Sequence, residues 1–355
     1  MMKEDLEQIC ASEYIPWEDL RGKTVLITGA SGLIGAHLVN ALLYASEVRG
    51  LGVRVLALVR EEQKGKKVFE RQLLECGNFQ LVAGDVRDRL AVEGRVDYII
   101  HGAGPTSSRF FTEHPAETVE TAVCGTINML RMAREHHVKG FLLLSTMEVY
   151  GCPEKGHKVT EDDAGALSSA KVRNSYPIGK LAGENLCCAY AREYQLPAAV
   201  VRLTQTFGPG VEYSDSRVFA EFARCGIEKR SIVLKTKGET ERSYLYTADA
   251  VTAIFTVLLK GAPGQIYTAA NEETYCSIYD MAKLAGELFG VDVVVNEEDI
   301  SQFGYADVLF MDLDAGKLRT LGWDAATGLR DMYRRMGQHM AAPGGRAGGS
   351  NAQRG

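Results

Sequence analysis

Six short apolar runs, rich in β-branched residues and separated by stretches of helical periodicity, restrict this chain more than any other feature. They are TVLIT (Thr24 to Thr28), VRVLALV (Val53 to Val59), FQLVA (Phe79 to Ala83), DYIIH (Asp97 to His101), FLLLS (Phe141 to Ser145) and AAVVRL (Ala198 to Leu203). Strands that are apolar throughout need cover on both faces, which predicts a parallel sheet. After the first run, Ile34, Leu38 and Leu42 recur at i, i+4 and i+8 and predict a helix with one apolar stripe. The expected fold class is α/β, a doubly wound parallel sheet. Beyond Pro209 the pattern gives way to loops, short helices and isolated strand-like pieces such as SYLYT (Ser243 to Thr247), the expected smaller C-terminal part. Ligands of such sheets bind outside the carboxyl ends of the strands, so each motif is judged by whether it lies there.

Composition removes several classes. The 355 residues are 46% hydrophobic and 24% charged, which excludes a disordered, collagen-like or coiled-coil chain. With 40 Lys plus Arg against 46 Asp plus Glu, the net charge of −6 argues against a nucleic-acid partner. No run approaches the ~18 apolar residues of a membrane span. The first 20 residues are acidic and unlike a secretion signal, so no membrane partner and a cytoplasmic location are expected. The 8 Cys form no CxxC pair and have no zinc-spaced His, which predicts reduced, mostly buried thiols and no metal site. Ala341 to Gly355 lacks large apolar side chains and is expected to be a disordered tail.

The first strand runs directly into TGASGLIG. Gly29, Gly32 and Gly35, with Ser31, Leu33 and Ile34 between them, form a glycine turn that opens a helix, an arrangement that lets backbone N–H groups approach a pyrophosphate. This makes the fold Rossmann-like. GxxGxxG spacing resembles the short-chain dehydrogenase/reductase superfamily, and the likeness grows with GDVRD and HGAG. There Asp85 and Val86 would meet an adenine, with Ala103 at the end of the fourth strand; Asp85 equally suits loop capping. The second strand ends in Val59 and Arg60 rather than an acid. Arg60 can accept the 2′-phosphate of NADP, which favours NADP slightly, or can equally be a solvated surface charge, so this strand end leaves the choice between NAD and NADP open.

Tyr176 and Lys180 are four residues apart in NSYPIGKLAGE, on one face of a predicted helix whose first turn holds Pro177. Phenols ionise near pH ~10, so Tyr176 becomes a base at neutral pH only where positive charge stabilises its phenolate; Lys180 and an oxidised nicotinamide would supply it. The pair follows LLLSTMEVYG, in which Thr146 closes the fifth strand 30 residues before Tyr176. Two groups at the ligand edge of one sheet make a plausible site.

With STMEVYG, SYPIGK, VVRLTQTFGPG and ERSYLYTADAV, the chain resembles the extended short-chain dehydrogenase/reductases, the NAD-dependent nucleotide-sugar epimerase/dehydratase family, from about Lys23 to Met336. The resemblance implies a catalytic set of Thr146, Tyr176 and Lys180, and an Arg242 that grips the nucleotide-sugar phosphate unless it pairs with Glu239 or Glu241. Ser107 and Gln205 are further candidate substrate contacts. It implies an N-terminal extension at 1–20, a mainly NAD(P)-binding Rossmann domain at 21–208 and a mainly substrate-binding part at 209–340. It also implies oxidation of a sugar C4 hydroxyl to a 4-keto intermediate with a recycled cofactor, after which the ketone is re-reduced, dehydrated or decarboxylated.

Glu148 selects among these outcomes. TxE resembles sugar 4,6-dehydratases and UDP-glucuronate decarboxylases, whereas 4-epimerases usually lack that acid. Met147 stands where dTDP-glucose dehydratases keep an Asp proton donor, so the pattern, with HGAGPTSS and GTINMLRMA, is nearest the decarboxylases. Gln205 and Ala122 replace asparagines of the family. The rival class is an NADPH-consuming carbonyl reductase. The resemblance also implies a homodimer formed by a helix from about Glu117 to His136 and the helix after Tyr176, with Leu181, Leu186 and Ala189 as candidate contacts.

Overall fold

The computed structural model describes residues 2–298 and 308–342. The strands, in chain order, are β1 (Thr24–Thr28), β2 (Arg54–Val59), β3 (Phe79–Ala83), β4 (Tyr98–His101), β5 (Gly140–Thr146), β6 (Lys158–Val159), β7 (Ala198–Leu203), β8 (Gln205–Phe207), β9 (Ile232–Leu234), β10 (Glu241–Tyr246), β11 (Ile266–Ala269), β12 (Asn271–Ser277), β13 (Val293–Val295) and β14 (Phe310–Leu313). Seven of them form a parallel sheet in the order β11-β7-β5-β4-β1-β2-β3.

Alternation explains why the runs are apolar on both faces. Val25, Ile27, Ile100, Leu142 and Val201 join a core under the helices Lys3–Ala11, Leu33–Val48 and Thr247–Lys260. Their neighbours Leu26, Ile99, Leu143 and Val200 join a second core under Pro115–Glu135 and Ser175–Tyr194. Chain order reverses at β1 and β4, and the crevice at such a switch point is where doubly wound sheets take ligands. One hydroxyl fastens the two strand ends there. Thr28 Oγ1 accepts the N–H groups of Gly102 (3.2 Å) and Ala103 (3.1 Å). Its proton therefore goes to His101 Nδ1, 2.7 Å away, which puts the histidine proton on Nε2. Burial pulls His101 down to about 3, so the ring is neutral.

Residues past Pro209 divide between two places, which corrects the reading of that region as loops and short helices. Helix Thr247–Lys260 has 14 residues and is buried on nearly every side, and β11 adds the seventh strand of the main sheet. Its all-round apolarity left no stripe to recognise. The remainder builds a smaller sheet, β12-β10-β14-β6 with β8 beside β10, and the pair β13-β9. Leu181 and Leu186 pack against cores of the same subunit, so of the three expected dimer contacts Ala189 alone is exposed. The cysteines are unpaired, but only Cys10, Cys187 and Cys225 are buried, while Cys124, on the outer side of helix Pro115–Glu135, and Cys152, in a loop, are exposed, against the expectation of mostly buried thiols. The tail expected at Ala341 to Gly355 lies outside the described residues from position 343 onward.

The N-terminal extension is docked. Helix Lys3–Ala11 packs on Leu33–Val48 and Thr247–Lys260. Its fully buried Asp5 accepts hydrogen bonds from the Tyr246 hydroxyl (2.9 Å) and from Arg335 (2.7 Å), which lies in the last described helix, Leu329–Ala341. Asp5→Ala strands the Arg335 charge and is expected to cost roughly 2–4 kcal/mol, reduced because Arg335 keeps some solvent contact, whereas Tyr246→Phe costs about 1 kcal/mol. Urea unfolding measures both; equal small losses would show the cluster to be peripheral.

Candidate active site

The carboxyl ends of β1, β2, β4, β5 and β7 open onto a cleft of about 1110 Å³. Gly29, Ser31, Gly32, Leu33, Ile34, Gly35, Arg60, Asp85, Val86, Ala103, Ser107, Thr146, Glu148, Tyr176, Lys180, Gln205 and Arg242 all line it.

At the β1 end, Gly29 has φ +67°, and a Cβ there would stand 2.7 Å from the Gly102 carbonyl oxygen. A Cβ on Gly35 would stand 2.3 Å from the Gly29 oxygen, so Gly35 lets helix Leu33–Val48 seat against the turn. Gly32 is different. Its Cβ would make only an ordinary contact at 3.4 Å, so nothing within the fold demands glycine at this place in the cleft. Gly32 is the N-cap of that helix, and no side chain caps the first turn. Free N–H groups and the positive end of the helix dipole therefore face the cleft, which fits the pyrophosphate of a dinucleotide.

The second and third strand ends behave less simply. Arg60 is more than half exposed and pairs with Glu117 at 3.0 Å. Asp85 takes the loop-capping geometry: it accepts the Arg87 backbone N–H at 2.9 Å and the Arg87 guanidinium through both oxygens (3.1 and 2.7 Å). Arg87 thereby holds the Asp85 carboxyl below the usual range. Val86 packs where a Cβ on Gly125 would fall, at 2.8 Å. Ser107 precedes the short helix Ser108–Glu113 and makes no capping hydrogen bond.

Thr146 ends β5, and its oxygen accepts the Glu148 N–H at 3.3 Å. Tyr176 stands in the first turn of helix Ser175–Tyr194, with the Thr146 side chain beside its phenol. Its ring stacks on Phe111, centroids 4.3 Å apart and planes 5° from parallel. Arg173 lies over the same Phe111 ring at 5.0 Å and pairs with Glu148 at 3.0 Å. Burial raises the Tyr176 phenol above its ordinary value and the Glu148 charge raises it further, while the Thr146 hydroxyl and Arg173 act the other way. Lys180 is buried and gives Nζ to the Leu144 carbonyl at 2.8 Å, and burial pulls it down to about 8.

At the far end, Gln205 on β8 and Arg242 on β10 belong to neighbouring strands, and Arg242 Nη1 donates to Gln205 Oε1 at 2.9 Å. Neither suspected acid holds this arginine; Glu241 is taken by Lys155 (3.1 Å) and by the Tyr275 hydroxyl (2.8 Å). Arg242 Nε is buried without a partner, which suits an anionic ligand at this end of the cleft. Ala122 packs toward Gly179, and Thr121 lines the cleft instead. Phe111 and Arg173 are the residues that sequence reasoning missed beside the phenol, and Arg217, held by Asp215 at 3.0 Å, also lines the cleft. A lone aromatic, an arginine in the single turn Val172–Asn174 and one just before a helix carry no periodic signal. Among the described residues, no group of three or more His, Cys, Asp or Glu side chains is placed to hold a metal ion.

Known proteins resemble this chain in sequence and in fold. UDP-glucuronic acid decarboxylase 1 of Xenopus tropicalis is 29% identical over 290 residues, which are 81% of this chain and 66% of that protein. UDP-glucuronic acid decarboxylase 6 of Arabidopsis thaliana is 29% identical over 311 residues, 86% of this chain and 85% of that one. The crystal structure of dTDP-glucose 4,6-dehydratase from Streptomyces venezuelae with NAD and TYD bound matches with a TM-score of 0.75 at 25% identity, covering 89% of this chain and 96% of that one. Residues 25–270 match the NAD dependent epimerase/dehydratase family, and with its glycine turn and its Thr146, Tyr176 and Lys180 at one sheet edge the chain belongs to that family.

Proposed function

We propose that this chain decarboxylates a UDP-uronate through a 4-keto sugar, with Thr146, Glu148, Tyr176 and Lys180 as its catalytic residues. The observation that carries the reading is Glu148, held at the Tyr176 phenol by Arg173, with the side chain of Met147 where a proton donor would be needed for loss of water. The names of the relatives support the same branch.

When bound, NAD supplies the acceptor for the C4 hydride and its later donor. The turn from Gly29 to Gly35 would hold its pyrophosphate, Asp85 and Val86 would flank its adenine and Lys180 its nicotinamide ribose. Arg60, already paired with Glu117, favours NAD over NADP. Tyr176 takes the proton of the C4 hydroxyl while Thr146 hydrogen-bonds that oxygen. The resulting ketone is β to the C6 carboxylate, so the C5–C6 pair can pass to C5 and the C4 oxygen as CO2 leaves. The Thr146 and Tyr176 hydroxyls stabilise the enolate oxygen, and C5 then takes a proton. Arg242 and Gln205 would grip the nucleotide diphosphate, with Ser107 at the sugar.

The surface and the thiols support two further readings. Val119, Val123 and Ile127 on one helix and Ile178 and Ala182 on its neighbour are half-buried apolar residues, suited to a homodimer interface. The unpaired thiols suit a reducing compartment, the cytoplasm.

Incubation with UDP-glucuronate is expected to yield a product lighter by CO2, and Tyr176→Phe to lower the rate by ~10²–10⁴-fold. Loss of water, or an isomer of unchanged mass, would overturn the decarboxylase reading. Gly29→Ala forces a Cβ against Gly102 and is expected to weaken NAD binding at least ~10-fold in calorimetry; unchanged affinity would move the pyrophosphate elsewhere. In sedimentation, the wild type should run as a dimer and Val123→Arg as a monomer, and a monomeric wild type would refute the dimer.

A further inference from the structure

Helix Ser175–Tyr194 carries Tyr176, Lys180 and Glu184 at i, i+4 and i+8, one stripe facing the sheet. Glu184 is 2% exposed, a costly place for a carboxylate. Two groups hold it there. Arg202 of β7, itself buried, donates from Nη2 to Oε2 at 2.8 Å and from Nε to Oε1 at 3.1 Å, and Ser145 donates its hydroxyl to Oε1 at 2.5 Å. Arg202 is fixed in turn by the Tyr150 ring, 4.6 Å from its guanidinium, and by the Glu161 carbonyl at 3.3 Å. Ser145 is the residue before Thr146, so this cluster underlies the strand end that carries the proposed catalytic hydroxyl.

The other groups around Lys180 supply no negative charge. His101 of β4 is fully buried and neutral, burial pushes the Cys187 thiol up, and Leu144 of β5 offers a carbonyl. Where helix Pro115–Glu135 meets this helix, at Gly179 and Gly183, it presents Thr118, Val119, Ala122 and Thr126. An ion pair buried only for stability is often replaceable by apolar side chains without loss, so the Glu184–Arg202 pair invites a further role.

We propose that Glu184 is a positioning residue whose buried charge, fixed by Arg202 and Ser145, keeps Lys180 an ammonium directed at the Leu144 carbonyl. The proposal rests on the reading above only in calling Lys180 catalytic. Burial opposes the charge on Lys180, and Glu184 is foremost among the groups that restore it.

NMR titration of the full chain labelled with [ε-¹³C]lysine tests this, with the Lys180 signal assigned by its loss in Lys180→Met. Lys180 is expected to titrate near 8 in the wild type. Glu184→Gln should lower that midpoint by roughly one pH unit or more. Because Glu184→Gln leaves Arg202 buried and unpaired, Glu184→Gln/Arg202→Met serves as a second variant that removes both charges, with a smaller fall in the same direction expected because a cation is lost too. An unchanged midpoint in either folded variant, or a wild-type midpoint well below neutrality, overturns the proposal. The titration needs no substrate, so an unshifted lysine in an active decarboxylase refutes this proposal alone, and a shifted lysine in a chain inert toward UDP-glucuronate refutes only the assigned reaction.

Discussion

The chemistry of the cleft turns on the charge of one phenol. Tyr176 is packed on Phe111 beside the Glu148 carboxylate, and both burial and that charge hold its proton on. Against them stand the Thr146 hydroxyl and the Arg173 guanidinium, and the raising influences win. On the proposed reading, Tyr176 becomes a base only when more positive charge arrives beside it. Proton removal is thereby coupled, on the same reading, to cofactor binding.

The fold makes that coupling geometrically possible. The parallel sheet sends the glycine turn after β1, Thr146 at the end of β5 and the first turn of helix Ser175–Tyr194 to one edge. The smaller sheet brings Gln205 and Arg242 to the same cleft on neighbouring strands. The N-terminal helix secures this second part: Asp5 reaches Tyr246, at the end of the strand that bears Arg242, and Arg335 from near the opposite end of the chain.

Much of this was legible in the sequence because it is local. Six sheet strands announce themselves by uninterrupted apolar runs, the glycine turn by its place after a strand, and Tyr176 with Lys180 by helical spacing. What escaped depends on contacts between distant residues. Ile266–Ala269 is too short and Thr247–Lys260 too evenly apolar to show a period, although together they complete the main sheet and its cover. Arg173 meets Phe111 across 62 positions of chain, and only the folded arrangement reveals it as the cation nearest in effect to the phenol. Spacing likewise places Lys180 on the same helix face as Tyr176, but cannot tell that its amine is turned to the Leu144 carbonyl.

Ultraviolet difference titration of wild type against Tyr176→Phe, with and without NAD, tests the central claim most directly. The account predicts no Tyr176 phenolate near pH 8 in the free protein and its appearance when NAD is added. A phenolate already present without NAD, or absent with the site saturated, would contradict it.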